Sequence, residues 1–363
     1  MEETKSVVLQ QAIIPDYRMG LFVRLREHYG SKFQIFAGDS DFGGTPVSTK
    51  VAWDHFEHVK NVYFLGSRFL WQKAMFKHLH KPDVVIFNAN IRITSNIVSI
   101  LIRKLTGRRS ILWGHATGKS RAASMLRGFY FRLSDGVVAY TESQGQSLRI
   151  RYPWLKVWVA PNSCVSANDC VPVESILSEM DSILYVGRLV EAKKVSLLLE
   201  GFIYAREKSL FPGSVRLVFV GDGAERARLE NRAAEAGVSD VVCFKGHVSD
   251  VSKLREYYSR AVCSVSPGYV GLSATQSFSF GIPMLIARDE FHSPEIEACK
   301  EGFNACFFPS DDAVALAEAL SKMVENKSQW FTARAEVSKW TREHYSFEVM
   351  RDTFIRAVNE VTV

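Results

Sequence analysis

The chain has 363 residues, 47% hydrophobic and 23% charged, which is too much for one ordinary core and too apolar for disorder, so two globular domains are expected. Its formal charge of +6 is unevenly placed: residues 1–175 hold 23 Lys and Arg against 13 Asp and Glu, and the remainder 22 against 26. The six cysteines, Cys164, Cys170, Cys243, Cys263, Cys299 and Cys306, have no C-x-x-C spacing and read as reduced thiols in a cytoplasmic compartment.

The opening MEETKSVVLQQAII carries acids where a secretory signal has bases, and no apolar run is long enough to span a bilayer, so a soluble or membrane-peripheral protein is expected. Apolar runs at Ser6 to Ile14, Phe33 to Ala37, Asp83 to Asn88, Ser110 to Gly114, Gly136 to Tyr140 and Lys156 to Ala160 read as strands. Helical patterns such as Ile91 to Leu105 and Arg121 to Leu133 separate them, the rhythm of a mostly parallel sheet with helices on both faces. A polar stretch from Pro161 to about Met180 reads as the linker. The rhythm then restarts, with strands at Ser182 to Val186, Val215 to Val220, Val241 to Lys245, Ala261 to Val265 and Met284 to Ala287. Helices are expected at Lys194 to Arg206, Ala224 to Ala236, Ser249 to Ser259 and Gly271 to Phe280, with helix throughout Asp312 to Val363. This places an N-terminal domain at 1–172, a C-terminal domain at 178–345 and a last helix at 346–363.

The chemistry-bearing residues cluster at the strand ends of the second half. Ser266-Pro267-Gly268 closes one strand, and the following helix is expected to present the backbone N–H groups of Gly271, Leu272 and Ser273. Unpaired amides and the helix dipole favour a phosphate there, and a glycine lets it approach. Gly187-Arg188 follows another strand, with Lys193 five residues on; Gly221-Asp222-Gly223 and Gly246-His247-Val248 close two more. In a parallel sheet all these ends lie on one edge. Arg188 offers a bidentate grip and Lys193 a point charge, enough to hold a diphosphate without a metal and to stabilise it as it leaves.

The order GRLVEAKK, FVGDGAERARLE, FKGHVSDVSKLREYYSRA, SPGYVGLSATQSFSFGIPMLIA, SPEIEACKEGFNACFF, from about Ile183 to Phe308, resembles the nucleotide-sugar domain of glycosyltransferase family 4. The resemblance implies an α/β chain of GT-B architecture, two Rossmann-like doubly wound parallel-sheet domains facing a cleft. It also implies retaining transfer of a sugar from a nucleotide-diphosphate sugar to an acceptor hydroxyl, with no metal or other cofactor. Arg188 and Lys193 would bind the diphosphate, the amides at Gly271 and Leu272 would cap it, and the Gly246 to Val248 turn would meet the base. Where the family has two glutamates eight apart, this chain has Gly268 and Gln276. Gln276 keeps hydrogen-bonding capacity for a ribose, and Gly268 has no side chain to read a sugar. His292, Ser293 and Glu295 are the substitutes nearby, Glu295 being equally readable as a carboxylate at a helix start. In the first half, His115 just past a strand matches a histidine near the reacting sugar. Pro161-Asn162-Ser163 matches a hinge turn, and Asp16, Tyr17 and Arg18 are acceptor-side candidates, with an ordinary helix start as the alternative.

Four competing signals remain. Asp39-Ser40-Asp41 resembles a manganese-binding Asp-x-Asp but reads better as a solvated turn, and His55-Phe-Glu-His58 fits no standard zinc spacing. Trp71, Ala74, Met75, His78 and Leu79 read as a helical core stripe. Between residues 100 and 132 stand eight bases (Arg103, Lys104, Arg108, Arg109, Lys119, Arg121, Arg127, Arg132) and no acid. The helix there has an apolar stripe at Ala122, Met125, Leu126, Phe129, Tyr130 and Leu133, read as its core face, with Phe131 and the bases turned away. A basic face suits an anionic membrane leaflet and a lipid-linked glycan acceptor, or is a solvated surface. No nucleic-acid recognition motif accompanies it. On the same residues, a nucleotide-sugar epimerase or hydrolase, or a sugar-nucleotide-binding subunit without turnover, are the alternative functions.

Overall fold

A computed structural model of the protein describes residues 5–42, 56–73, 79–115 and 121–362. The chain divides into two compact units, Met1–Cys164 with Phe347–Val363, and Val165–Ser346.

In the first unit, β1 (Val7–Gln11), α1 (Met19–Tyr29), β2 (Phe33–Ala37) and β3 (Phe56–His58) build one side of a sheet. β4 (Asn61–Phe64) and β5 (Phe69–Gln72) form a separate two-stranded antiparallel sheet. The other side of the sheet is β6 (Val84–Asn88), α2 (Thr94–Leu105), β7 (Arg109–Trp113), α3 (Arg121–Leu133), β8 (Gly136–Ala139), α4 (Glu142–Arg151) and β9 (Val157–Val159). All seven strands of the sheet run parallel in the order β3-β2-β1-β6-β7-β8-β9. Reversal of direction at β1 and right-handed crossovers put α1 on one face and α2, α3 and α4 on the other.

The second unit repeats the plan: β10 (Ser182–Val186), α5 (Val195–Glu207), β11 (Arg216–Val220), α6 (Arg226–Glu235), β12 (Val242–Phe244), α7 (Val251–Ser259), β13 (Ala261–Ser266), α8 (Ser273–Ser279), β14 (Met284–Ala287) and β15 (Ala305–Phe308). These strands form a six-stranded parallel sheet in the order β12-β11-β10-β13-β14-β15, followed by α9 (Ala313–Glu325) and α10 (Lys327–His344). Ile183 and Tyr185 of β10 pack toward α5, α6 and α9, while Leu184 packs toward α7, the period-2 alternation of a strand buried on both faces.

The last helix, α11 (Phe347–Thr362), returns to the first unit. Its residues Phe347, Met350, Phe354, Ala357, Val358 and Val361 recur at helical spacing and join the core beneath α1 and the sheet. Phe354 meets Trp113 edge-on at 4.9 Å. A Cβ on Gly20 would stand 2.2 Å from the Phe347 ring, so only glycine lets α1 and α11 approach this closely.

Four expectations are corrected. On α3, Met125, Leu126 and Phe129 are exposed, while Tyr130 is buried as expected and Phe131 is buried with it. The helix is turned so that the Tyr130 hydroxyl donates to the Asn88 carbonyl at 3.5 Å and Phe131 meets Tyr152 at 5.5 Å, which fixes the inner face one residue away from the expected stripe. Arg103 belongs to no surface: it is fully buried and donates to the carbonyls of Leu79, Pro82, Asp83 and Arg109. Trp71 lies in a β-strand rather than on a helix, while Ala74, Met75 and His78 fall outside the described residues. Finally, α8 spans only Ser273–Ser279, which leaves Gly271 in the turn before it. His55 and Lys119 also lie outside the described residues. None of the six cysteines is in a disulfide.

Candidate functional site

In the second unit the parallel order brings the carboxyl ends of β10, β11, β12 and β13 to one edge. Three glycines hold the first three ends together. The Gly221 N–H donates to the Gly246 carbonyl at 2.8 Å, and the Gly187 N–H to the Val220 carbonyl at 3.0 Å. A Cβ on Gly221 would stand 1.8 Å from the Gly187 oxygen. Beside them Asp222 accepts from the Gly223 N–H and pairs with Arg226 at 3.3 Å. Arg226, whose Nη1 lies 3.6 Å from where a Gly246 side chain would begin, is a base at this edge that sequence reasoning did not single out. His247 is exposed, and Val248 packs partly into the core beside α7.

Lys193 is the centre of the arrangement. A short 3-10 turn, Glu191–Lys193, ends at Lys194, whose left-handed backbone (φ 51°) starts α5. Lys194 turns away and is tied to Glu290 and Asp311, so it is not available to a phosphate. Lys193 turns toward β13: its Nζ donates to the Tyr269 carbonyl at 2.8 Å, sits 3.4 Å from the centre of the Tyr269 ring, and lies 3.8 Å from where a Gly271 side chain would begin. Burial, then the Arg188 cation, lower its pKa to about 8 against the opposing pull of Glu295. The ammonium has three donors and Tyr269 takes one. Arg188 is exposed, with its carbonyl held at 2.8 Å by the Tyr185 hydroxyl.

Gly268 abuts this turn. A Cβ there would meet the Lys193 carbonyl carbon at 2.9 Å and the Ala192 oxygen at 3.0 Å, so backbone fills the space a longer side chain would need. Both edges of the following segment are fixed: the Val270 N–H donates to His292 Nδ1 at 3.0 Å and its carbonyl accepts from the Ser293 N–H at 3.1 Å. The His292 proton therefore sits on Nε2, 3.4 Å from the Arg288 carbonyl, and the ring braces the Gly271 turn. Glu295 is buried, in the 3-10 helix Pro294–Ala298. Leu272 stands just before α8, Ser273 opens it, and Gln276 on it is half-buried.

The remaining candidates lie in the first unit, around a cavity of about 400 Å³ at the carboxyl ends of its strands. Tyr17, Arg18 and His115 line it, with Gln11, Asn88, Arg127 and Tyr140, and exposed Asp16 stands outside it. Burial and the Arg18 and Arg127 cations lower the pKa of His115, leaving its imidazole neutral near pH 7; its ring meets Tyr140 at 4.9 Å. Asp41 borders the same cavity, and Asp39 is exposed 3.9 Å from His58. Among the described residues no three His, Cys, Asp or Glu side chains are grouped as metal ligands. Behind the cavity lies a buried amide network that sequence reasoning missed. Gln10 bonds Gln72, Asn96 donates to Gln10 at 2.8 Å, and Gln72 donates to Asn61 at 2.8 Å. The available signal was two adjacent glutamines, Gln10 and Gln11, inside an apolar strand.

Residues 173–344 match the family model described as glycosyl transferases group 1. A GDP-mannose-dependent alpha-(1-6)-phosphatidylinositol dimannoside mannosyltransferase of Mycobacterium tuberculosis is 29% identical over 130 residues, 35% of this chain and 33% of that one. The chain spans about a third of the length of the curated relatives it matches. Among solved structures, Anabaena HepE in complex with UDP is similar with a TM-score of 0.70 at 14% identity, over 98% of this chain and 100% of that one. A glycosyltransferase from Rickettsia africae gives 0.72 at 12% identity, over 99% of each. Likeness at such identities is one of fold, here the GT-B fold of two Rossmann-like parallel sheets. Residues 173–344, on that fold, are thus similar to the glycosyl transferases group 1 family.

Proposed function

We propose that the protein is a cytoplasmic, retaining glycosyltransferase that moves a sugar from a nucleoside-diphosphate sugar to a hydroxyl of a lipid-linked glycan during synthesis of a cell-surface polysaccharide such as lipopolysaccharide. The carrying observation is Lys193 Nζ, half-buried beside Arg188 and within 4 Å of the Gly271 position. Two cations and a glycine turn take the charge that develops on the departing diphosphate, so the reading needs no metal. The donor's C1–O bond to phosphate breaks, the acceptor oxygen bonds C1, and the hydroxyl proton passes to the leaving phosphate oxygen. Gln276 would meet the ribose, the Gly246–Val248 turn the base, and His115 with Tyr17 and Arg18 the sugars. UDP bound to HepE and GDP-mannose named for the mycobacterial relative support a nucleotide sugar as donor.

Thermal shift against UDP-, GDP- and ADP-sugars, followed by transfer to glycan lipids, tests the reading. Arg188→Ala should abolish transfer and leave the fold intact; an active variant overturns the assignment. A second reading, a sugar-nucleotide-binding subunit without turnover, is favoured by the backbone packed against Gly268, which bars the family's glutamate there. Binding without transfer on any acceptor would establish it.

Membrane association belongs to the same proposal. Leu101 and Leu105 on α2 and Met125, Leu126 and Phe129 on α3 are exposed, and the Lys104 amine donates to the Arg132 carbonyl at 2.8 Å, which joins the two helices. Among the described residues neither Lys104 nor Arg132 has a carboxylate within ion-pair distance, whereas Arg108 and Arg109 are paired with Asp83 and Asp135. Apolar side chains with unpaired bases at their margin suit the headgroup layer of an anionic leaflet.

A further inference from the structure

Lys193 and Lys194 are neighbours in sequence with opposite tasks. Lys194 holds a left-handed backbone, φ 51°, a conformation that costs any residue with a side chain. The reversal sends its amine away from Lys193, to Glu290 Oε1 at 2.5 Å and to Asp311 at 2.7 Å. The Glu290 side chain is 13% exposed and that of Asp311 72%, so the bond to Glu290 is the better shielded from water.

Glu290 lies in the loop between β14 and the 3-10 helix Pro294–Ala298. No residue from Arg288 to Ser293 is buried, so polar ties rather than apolar packing fix this loop. At its start the Arg288 N–H donates to the Phe308 carbonyl and the Asp289 N–H to the Ser310 hydroxyl, both at 2.9 Å. In its middle Glu290 is held by Lys194, and the Glu290 carbonyl accepts from the His292 N–H at 2.9 Å, so Glu290 and His292 share one tight turn. At its end His292 Nδ1 accepts from the Val270 N–H, and the carbonyl of the preceding Tyr269 accepts from the Lys193 ammonium. The contacts close a ring that runs through Lys193, Lys194, Glu290, His292, Val270 and Tyr269 and back to Lys193.

We propose that Glu290 is a positioning residue of the donor site: through its ion pair with Lys194 it fixes the loop from which His292 holds the Val270–Gly271 turn at its distance from the Lys193 ammonium. The proposal rests on the reading of Lys193 and Gly271 as the diphosphate site and names what sets the spacing between them. Glu290 acts through its neighbours, and its effect on binding is one of preorganisation.

Calorimetric titration of the full chain with UDP and with GDP tests this, read on whichever binds the wild type more tightly and set beside melting curves. Glu290→Gln should weaken binding at least about threefold, within the worth of a partly exposed ion pair. Lys194→Gly should weaken it as much while its melting temperature holds, because relief of the left-handed backbone offsets the lost pair. The double variant should be within about twofold of either single one, since both cut the same link. Lys194→Arg, which keeps the cation, should retain most of the affinity. A merely structural role would lower melting and affinity together. Wild-type affinity in Glu290→Gln, a lowered melting temperature in Lys194→Gly, additive losses in the double variant, or equal losses in Lys194→Arg and Lys194→Gly would overturn the proposal. Lys193→Ala is the control: if it binds like wild type, or if the wild type binds neither nucleotide, the donor reading fails and this proposal with it. If Lys193→Ala loses binding while Glu290→Gln does not, this proposal fails alone.

Discussion

A methyl group on Gly268 would stand 2.9 Å from the carbonyl carbon of Lys193, closer than real side chains approach backbone. The turn that presents the Lys193 ammonium is therefore seated directly on the residue that ends the Ser266-Pro267-Gly268 strand exit. Gly268→Ala should push that turn outward, costing about 1–3 kcal/mol of stability through overpacking and weakening sugar-nucleotide binding. Denaturant melts and titration with UDP and GDP measure the two effects. Unchanged stability would mean that the contact yields freely.

Lys193 gives the proposed donor site a pH signature. Its pKa is lowered to about 8 by burial and by Arg188. Below that pH the amine is charged in native and unfolded chains alike. Between about 8 and its ordinary 10.5 only the unfolded chain keeps the proton, so this group makes the unliganded fold more stable as pH rises through that window. Diphosphate binding runs the opposite way, because the anion needs the ammonium. Affinity for UDP or GDP should hold to about pH 7 and fall as pH passes 8, whereas Lys193→Arg should flatten the profile. A profile for the arginine variant as steep as wild type would remove Lys193 from the diphosphate site.

Gly221→Ala tests the strand ends. Its φ of +152° and the Gly187 oxygen 1.8 Å from an added Cβ leave no room for a methyl without separating β10 from β11 at their carboxyl ends. A loss above about 2 kcal/mol is expected, the range of strained backbone and overpacking together. Gly213→Ala, with open space around it, should change little. Similar melting curves for the two variants would contradict this.

Met125, Leu126 and Phe129 are exposed on α3, so replacing all three with serine should leave melting almost unchanged, as surface substitutions usually do, within about 0.5 kcal/mol. The same change should strip binding to anionic vesicles, since each such side chain gains roughly 1–2 kcal/mol on entering an apolar phase. Sedimentation with phosphatidylglycerol vesicles provides the readout. Equal sedimentation of the variant and wild type would assign the patch to some other contact.

Much of this molecule is legible in its residues. The strands at Phe33–Ala37, Ser182–Val186 and Met284–Ala287 stand where the apolar runs put them, because parallel strands buried on both faces must be continuously hydrophobic. The Gly187, Gly221 and Gly246 strand ends were visible because glycine is needed where backbones touch. Strand β15 and the β4–β5 hairpin were not read, since Ala305–Phe308 is short and the hairpin is only half-buried, so neither carries a sustained period.

The sequence by itself determined the two parallel-sheet units, their glycine strand ends and the charge of each half, all properties of local pattern and composition. Tertiary structure alone decided that α3 turns Phe131 inward and Phe129 outward, that Arg103 is consumed by carbonyls while Arg127 reaches a cavity, and that backbone closes over Gly268. Helical periodicity fixes that a helix has an inner face; which residues occupy it depends on the atoms packed beneath, and those come from strands far away in the chain.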